Sequence, residues 1–411
     1  MNILLINHYA GSPLHGMEYR PYYLAREWVR SGHNVTIIAA SHSHLRSVQP
    51  GTQDQSTEEI IDGIRYIWLS TPTYSGNGLS RVRNMLAFVT RLYSRAAALA
   101  RSIRPDAVIA SSTYPLDIYP ARKLARLAGA RLIFEVHDLW PLSPMELGGM
   151  SPWHPFIMMM QRAENDAYAS ADKVVSMLPK AFEHMTSHGM APEKFIYIPN
   201  GIDIDEWTSH VESLPHAHLK VLEDLKYKDR FIVGYAGGHG LSNALDTFVA
   251  CASLVTSKAA TLVLVGQGPE KIQLESMATR HGHDNIRFLD PVPKRAIPSL
   301  LEQMDVLFLG WKRQPLYRFG ISPNKLMDYM MAGKPVIHAV EAGNDLVAES
   351  GCGLSIEPEN PVAIANAITT LQGMSVAQRK EMGRKGQEFA LNFHDYRVLA
   401  DRFLQAIKII K

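Results

Sequence analysis

Lys325 and Asp328 stand three positions apart in FGISPNKLMDYMMAGKPVI, residues 319–337. At helical spacing they share one face. Ser322 and Pro323 form a helix opening, since serine caps free N–H groups and proline fits the first helical position. Gly333 and Pro335 then stop the helix, which predicts a span over residues 323–332. An ammonium in the first turn opposes the positive end of the helix dipole and needs an anion nearby. With the Ser322 hydroxyl, the Asn324 amide and the first-turn N–H groups, Lys325 would hold a phosphate. Asp328 would accept hydrogen bonds from the diol of an attached sugar. An ordinary Lys–Asp surface pair uses the same spacing.

Two glycine-bearing loops, HYAGSPLHG and YAGGHGLSN, each follow a strand-like run and would let backbone N–H groups approach phosphate closely. Gly16, Gly237, Gly240 and Asn243 are their candidate contacts. Asn243 takes the place of the third glycine of a dinucleotide fingerprint, and Lys258 stands about where its acid would be, which disfavours a nicotinamide site. The run RLIFEVHD ends in Glu135, His137 and Asp138. Strand ends face ligands in doubly wound sheets, and a histidine there can donate to a sugar hydroxyl or stabilise charge. It can equally be a satisfied structural group.

These residues need an alternating scaffold. Apolar runs at residues 1–8, 35–40, 64–69, 106–111, 131–136 and 173–178 are separated by helical patterns. The theme restarts at FIVGYAG and continues through ATLVLVG, NIRFLD, DVLFLG and KPVIHAV. The fold class expected is α/β with two Rossmann-like doubly wound domains facing a cleft. The divisions expected are a Rossmann-like domain at 1–205, a linker at 206–230, a second Rossmann-like domain at 231–390 and a C-terminal helix at 391–411 that packs back on the first domain. A chain of 411 residues suits two cores better than one. A formal net charge of +2 gives no reason to expect a nucleic-acid partner. The two cysteines, Cys251 and Cys352, fit a reducing compartment, and no apolar run reaches the length of a membrane span. A cytoplasmic location follows as an expectation. No metal-ligand spacing is evident, so no metal and no cofactor are expected beyond a nucleotide co-substrate.

The succession GYAG…LVGQGPE…FLDPVPKRAIPSLLEQMDVLFL…SPNKLMDYMMAGKPVI, with PNGID and EVHD before it, resembles the retaining glycosyltransferases of family four, of the GT-B fold, along almost the whole chain. The first loop and SPNKLMDYMMAGKPVI are similar to the branch of bacterial O-antigen and capsule enzymes that includes L-fucosaminyl transferases. The resemblance implies a nucleotide-diphosphate sugar donor, with UDP the expected nucleotide, and a glycan or polyprenyl-diphosphate-linked acceptor; it implies the acceptor for the first domain and the nucleotide sugar for the second. It implies that His137 lies beside the donor sugar, with Glu135 near it, and that Met17, Glu18 and Arg20 face donor or acceptor sugar. Gly266 of LVGQGPE and Val292 of LDPVPKR complete the candidate donor contacts. The family carries two acids eight positions apart. Anchored on MMAGKPVI, Asp328 matches the second and Gly320 stands where the first should be; anchored on Phe319-Gly320, Tyr317 and Lys325 would match and no acid remains. The Arg and Lys that commonly hold the diphosphate have no counterpart in GGHGLSNALD, and Lys325 would supply that charge.

Retention without a carboxylate nucleophile implies front-face attack, the departing phosphate taking the acceptor proton. Lys325 and the loop N–H groups of Gly16, Gly237 and Gly240 would stabilise charge growing on the diphosphate. Six arginines and no acid lie between Ser80 and Pro105, on a helical apolar pattern. This stretch, residues 81–104, would rest on anionic lipid at the inner face of the plasma membrane, or would cover its sheet with a solvated arginine face. A UDP-sugar 2-epimerase of the same architecture and a noncatalytic membrane-docking protein are the competing functions.

Overall fold

In the computed structural model, all residues are described except 52–54, 77, 210, 256–259, 281 and 409–411. Lys258 therefore lies outside the described residues.

The apolar runs of the first half pair into a sheet because a parallel ladder covered on both faces tolerates continuous hydrophobic sequence. Its strands are β1 (Asn2–Ile6), β2 (Asn34–Ala40), β3 (Ser56–Ile61), β4 (Ile64–Leu69), β5 (Ala107–Ala110), β6 (Arg131–Val136), β7 (Lys173–Ser176) and β8 (Phe195–Tyr197), in the order β3-β4-β2-β1-β5-β6-β7-β8. All pairs are parallel except β3 with β4. That hairpin turns on Asp62 and Gly63, both at positive φ, as a two-residue turn matched to strand twist requires. β3 escapes the sequence pattern because its STEEII carries two glutamates on an edge position.

The second sheet contains β9 (Phe231–Ala236), β10 (Ala260–Val265), β11 (Ile286–Leu289), β12 (Val306–Gly310), β13 (Val336–Ala339) and β14 (Gly353–Ile356), ordered β11-β10-β9-β12-β13-β14 and parallel throughout. The strand order reverses at β1 in one sheet and at β9 in the other. Loops leaving those strands are the natural ligand sites of doubly wound sheets.

The chain divides into two compact units, residues 1–200 with 396–411, and residues 201–395. The helix Tyr396–Ile407 belongs to the first unit: Trp28 donates from Nε1 to the Ala400 carbonyl at 3.0 Å, and Tyr23 stacks on Tyr396 at 4.8 Å. Residues 206–230 are not a bare linker. They contain the helix His216–Tyr227, whose Leu222 and Leu225 are buried in the core of the second unit. Its apolar positions are few, which is why the segment looks aperiodic.

Candidate functional site

In the second unit, the expected helix is present over Asn324–Met331, one residue shorter at each end than its pattern suggests. Pro323 is extended and occupies the cap position, with no side-chain capping bond of its own, so Ser322 falls outside the helix, one residue before the cap. Asn324 is exposed at the tip. Lys325 turns back toward the end of β9: its Nζ donates to Tyr235 Oη at 2.8 Å and to Asn243 Oδ1 at 2.9 Å. No carboxylate lies within ion-pairing distance of it among the described residues. Burial pushes this ammonium down to about 8.

The glycines around it are required by close approach. A Cβ on Gly237 would come within 2.5 Å of Lys325 Cε, at a φ of +150° that side chains disfavour. One on Gly266 would lie 1.9 Å from the Gly237 carbonyl oxygen. Gly237→Ala is therefore expected to displace Lys325 and weaken anion binding by about tenfold or more, the loss of a charge-assisted hydrogen bond. Isothermal titration with UDP measures it.

The expected N–H cradle needs correction at Gly237, whose N–H donates to the Val265 carbonyl at 3.0 Å. It passes instead to the neighbouring N–H groups of Gly238 and Gly240, which have no acceptor among the described residues. Asn243 supports the same loop, donating from Nδ2 to the Gly238 carbonyl at 3.0 Å. Tyr235 and His239 were not singled out from sequence, because a tyrosine in an apolar strand and a histidine in a glycine loop carry no signal until Lys325 is seen between them. His239 is fully buried with neither ring nitrogen hydrogen-bonded, and burial, with Lys271 and Lys325 nearby, pushes it down to about 4.

Asp328 is half-buried, one turn beyond Lys325. Its carboxylate accepts no hydrogen bond among the described residues. Burial pushes it up to about 7, against the pull of Lys294 and with the help of Glu206. Val292 packs against the core, so its side chain is largely structural. Gly320 has φ of +102°, which a carboxylate-bearing residue would adopt only with strain; the missing first acid is thus built into the backbone. Asn344 pins the segment before the helix, accepting from Ile321 N at 2.7 Å and donating to its carbonyl at 3.1 Å.

In the first unit, β6 delivers Glu135 inward and His137 to its end. Arg20 opens the helix Arg20–Arg30 and is 1% exposed; Glu135 is fully buried. Arg20 Nη2 meets Glu135 Oε1 at 2.9 Å, and its other donors reach the carbonyls of Ile198 and Pro199. Burial alone would raise the Glu135 carboxyl, but Arg20, His137 and Ser111 outweigh it and hold the group down at about 2. Ser111 Oγ donates to Glu135 Oε2 at 2.6 Å, and His137 Nε2 lies 3.0 Å from Ser111 Oγ and 3.3 Å from Glu135 Oε2. Arg20 and Glu135, expected to touch substrate, are enclosed; they hold the imidazole, whose Nδ1 edge is the side left for a ligand. Asp138 accepts from Ser143 Oγ at 2.9 Å and from Leu139 N at 3.1 Å, so it closes the following turn.

The first glycine loop also needs correction. Gly16 N–H donates to the Ser12 carbonyl at 2.8 Å and Gly11 N–H to the Glu18 carbonyl at 2.8 Å, so Gly16 offers no N–H to phosphate. Met17 is 45% exposed and Glu18 half-buried, both at the surface of this loop.

Residues 15–201 match the family described as "Glycosyl transferase 4-like domain", and residues 230–373 match "Glycosyl transferases group 1". The chain is a family-four glycosyltransferase. The glycosyltransferase is 24% identical over 375 residues to WcaI of Escherichia coli (strain K12), assigned to colanic acid biosynthesis as a glycosyl transferase, covering 89% of this chain and 90% of that one. It is 22% identical over 297 residues to the glycosyltransferase WbjE of Pseudomonas aeruginosa, covering 71% and 70%. Among solved structures, Anabaena HepE in complex with UDP-glucose superposes with a TM-score of 0.65 at 16% identity, covering 98% of both chains. The glycosyltransferase thus has the GT-B fold, two parallel Rossmann-like sheets. Its Asp328→Ala variant is expected to bind nucleotide sugar about tenfold more weakly, with UDP-sugar titration as the measure.

Proposed function

We propose that this glycosyltransferase moves a sugar, with retention, from UDP to a glycan or lipid-linked acceptor in bacterial surface-polysaccharide synthesis. The observation that carries the reading is Lys325: a half-buried ammonium at the β9 switch point, with neutral partners and, among the described residues, no carboxylate in ion-pairing reach. Such a group is matched by the diphosphate of a nucleotide sugar, whose leaving charge it would stabilise without a metal ion. Asp328, holding no hydrogen bond among the described residues, suits the ribose diol. His137 is assigned to the donor sugar, oriented by Glu135 and Ser111 beneath it. The UDP-glucose held by HepE and the colanic acid assignment of WcaI support the nucleotide and the pathway class. The finer reading is transfer of an N-acetylated deoxyhexose, as in the L-fucosaminyl branch.

The work would take place at the cytoplasmic face of the membrane. Among the described residues no helix is long and apolar enough to cross a membrane. The helix Leu79–Ile103 buries Met85, Val89, Leu92 and Ala96 and leaves Leu79, Leu86 and Tyr93 exposed at seven-residue intervals, beside exposed Arg83 and Arg91. This face suits an anionic surface carrying a lipid-linked acceptor.

A panel of nucleotide sugars tested by thermal stabilisation tests the donor, since a ligand bound only by the folded form raises the midpoint. Acceptor-dependent release of UDP supports transfer, whereas isomerised nucleotide sugar from donor alone would replace it with an epimerase. Vesicle binding without turnover of any donor would leave only membrane docking. His137→Ala is expected to lower kcat about tenfold with little change in donor affinity, the pattern of a contact made chiefly in the transition state.

A further inference from the structure

Away from both half-sites, the first unit gathers a third constellation. Glu164 sits on the helix Pro155–Ser170 and is 2% exposed. Its carboxylate is oriented by two neighbours on that helix: Tyr168 donates to Oε1 at 2.9 Å and Gln161 to Oε2 at 2.7 Å. His184, on the helix Phe182–Ser187, brings Nε2 to 3.2 Å from Glu164 Oε1. His188 follows one turn on, its ring centroid 4.3 Å from that of His184. His188 Nδ1 lies 2.8 Å from the His184 carbonyl oxygen, a bond in which Nδ1–H donates and Nε2 keeps its lone pair.

One ligand atom from each of Glu164, His184 and His188 falls within 4.8 Å of the other two. We propose that these residues bind a divalent ion of the zinc class, as a structural clasp between the two helices. Two imidazoles and one carboxylate select zinc, cobalt, nickel or copper over magnesium and calcium, which prefer oxygen. The surroundings match those of a metal site: a histidine whose other nitrogen donates to a backbone carbonyl, and a carboxylate fixed by hydrogen-bond donors. A tetrahedral zinc site sets ligand atoms about 3.3–3.5 Å apart. Glu164 and His184, at 3.2 Å, stand close to that spacing, and His188, within 4.8 Å of both, closes the set by a small swing that leaves a fourth position for water. Sequence spacing hides the site, because the carboxylate comes from a separate helix. Glu164 and Tyr168 also line a small cavity with Glu135, Asp138 and Trp140, so the clasp would brace the surroundings of the β6 end.

The test uses the full chain without a histidine tag, stripped with chelator and titrated with Co²⁺. One equivalent should produce visible ligand-field bands, abolished by Zn²⁺, and Zn²⁺ should raise the thermal midpoint. His188 is half-buried, so His188→Gln should fold like the parent when metal-free, yet lose both bands and midpoint shift. Glu164→Gln should weaken Co²⁺ binding at least tenfold. Absence of bands in the parent, or bands of equal strength and stoichiometry in His188→Gln, would overturn the site.

Discussion

Lys325→Met is expected to weaken UDP binding by about tenfold to hundredfold, the 1.5–3 kcal/mol typical of hydrogen bonds to a charged group. The pH dependence identifies the cause. With its ammonium pushed down to about 8, the parent loses charge as pH rises through that value, so its UDP affinity should fall between pH 7 and 9. The methionine variant lacks that ammonium, so the fall through pH 8 should be missing and only the Asp328 carboxyl, pushed up to about 7, is left to titrate. Stability carries the opposite sign. The folded state sheds this proton near pH 8 while the unfolded chain keeps it to the ordinary lysine value, so the parent gains stability between those pH values. Relative to Lys325→Met, the parent should therefore become more stable across that window in chemical unfolding. Parallel pH profiles for affinity and stability in the two proteins would remove the anion-binding role of Lys325.

Arg20→Met is expected to destabilise the first unit by about 3–5 kcal/mol, because it strands the fully buried Glu135. The loss is measured by urea unfolding of the full chain at neutral pH. In the parent, Glu135 is held down at about 2, below its ordinary range. Its contribution is therefore fully present above the ordinary glutamate value and fades as pH falls toward 2. Without the guanidinium, burial dominates and the carboxyl rises, so the variant's deficit should shrink on acidification. A deficit that grows on acidification would contradict the ion-pair account. In the same variant Glu135 is no longer held as a carboxylate beside His137, and turnover is expected to fall along with stability. On the proposed reading Arg20 is a positioning residue, acting on His137 through Glu135.

Much of the lysine half-site was legible because short-range chemistry wrote it. A proline before the helix, a glycine after it and a lysine in the first turn are local signals. The match of Asp328 to the family's second acid likewise depends on its distance from that glycine. The partners of Lys325 were not legible: Tyr235 and Asn243 lie 90 and 82 positions earlier and meet it only when β9 and the helix pack together. The same holds for the glycine loops. Their composition promises free N–H groups, but those of Gly16 and Gly237 are taken by carbonyls, and only the folded loop reveals that those of Gly238 and Gly240 meet no acceptor among the described residues.

The alternation of apolar runs and helical patterns determined two doubly wound sheets, since a buried parallel ladder imposes its hydrophobicity directly on the chain. Strand β3 and the helix His216–Tyr227 broke that pattern, because an edge strand and a partly exposed helix need little apolar surface. Only the tertiary structure decided which polar residues face ligand and which are enclosed. Arg20, Glu135 and His137 look alike in sequence as polar candidates, yet burial pairs the first two and leaves the imidazole edge open. A buried charge must find its partner across the fold, and the separations involved, 115 positions for Arg20 and Glu135, exceed anything a local pattern can encode.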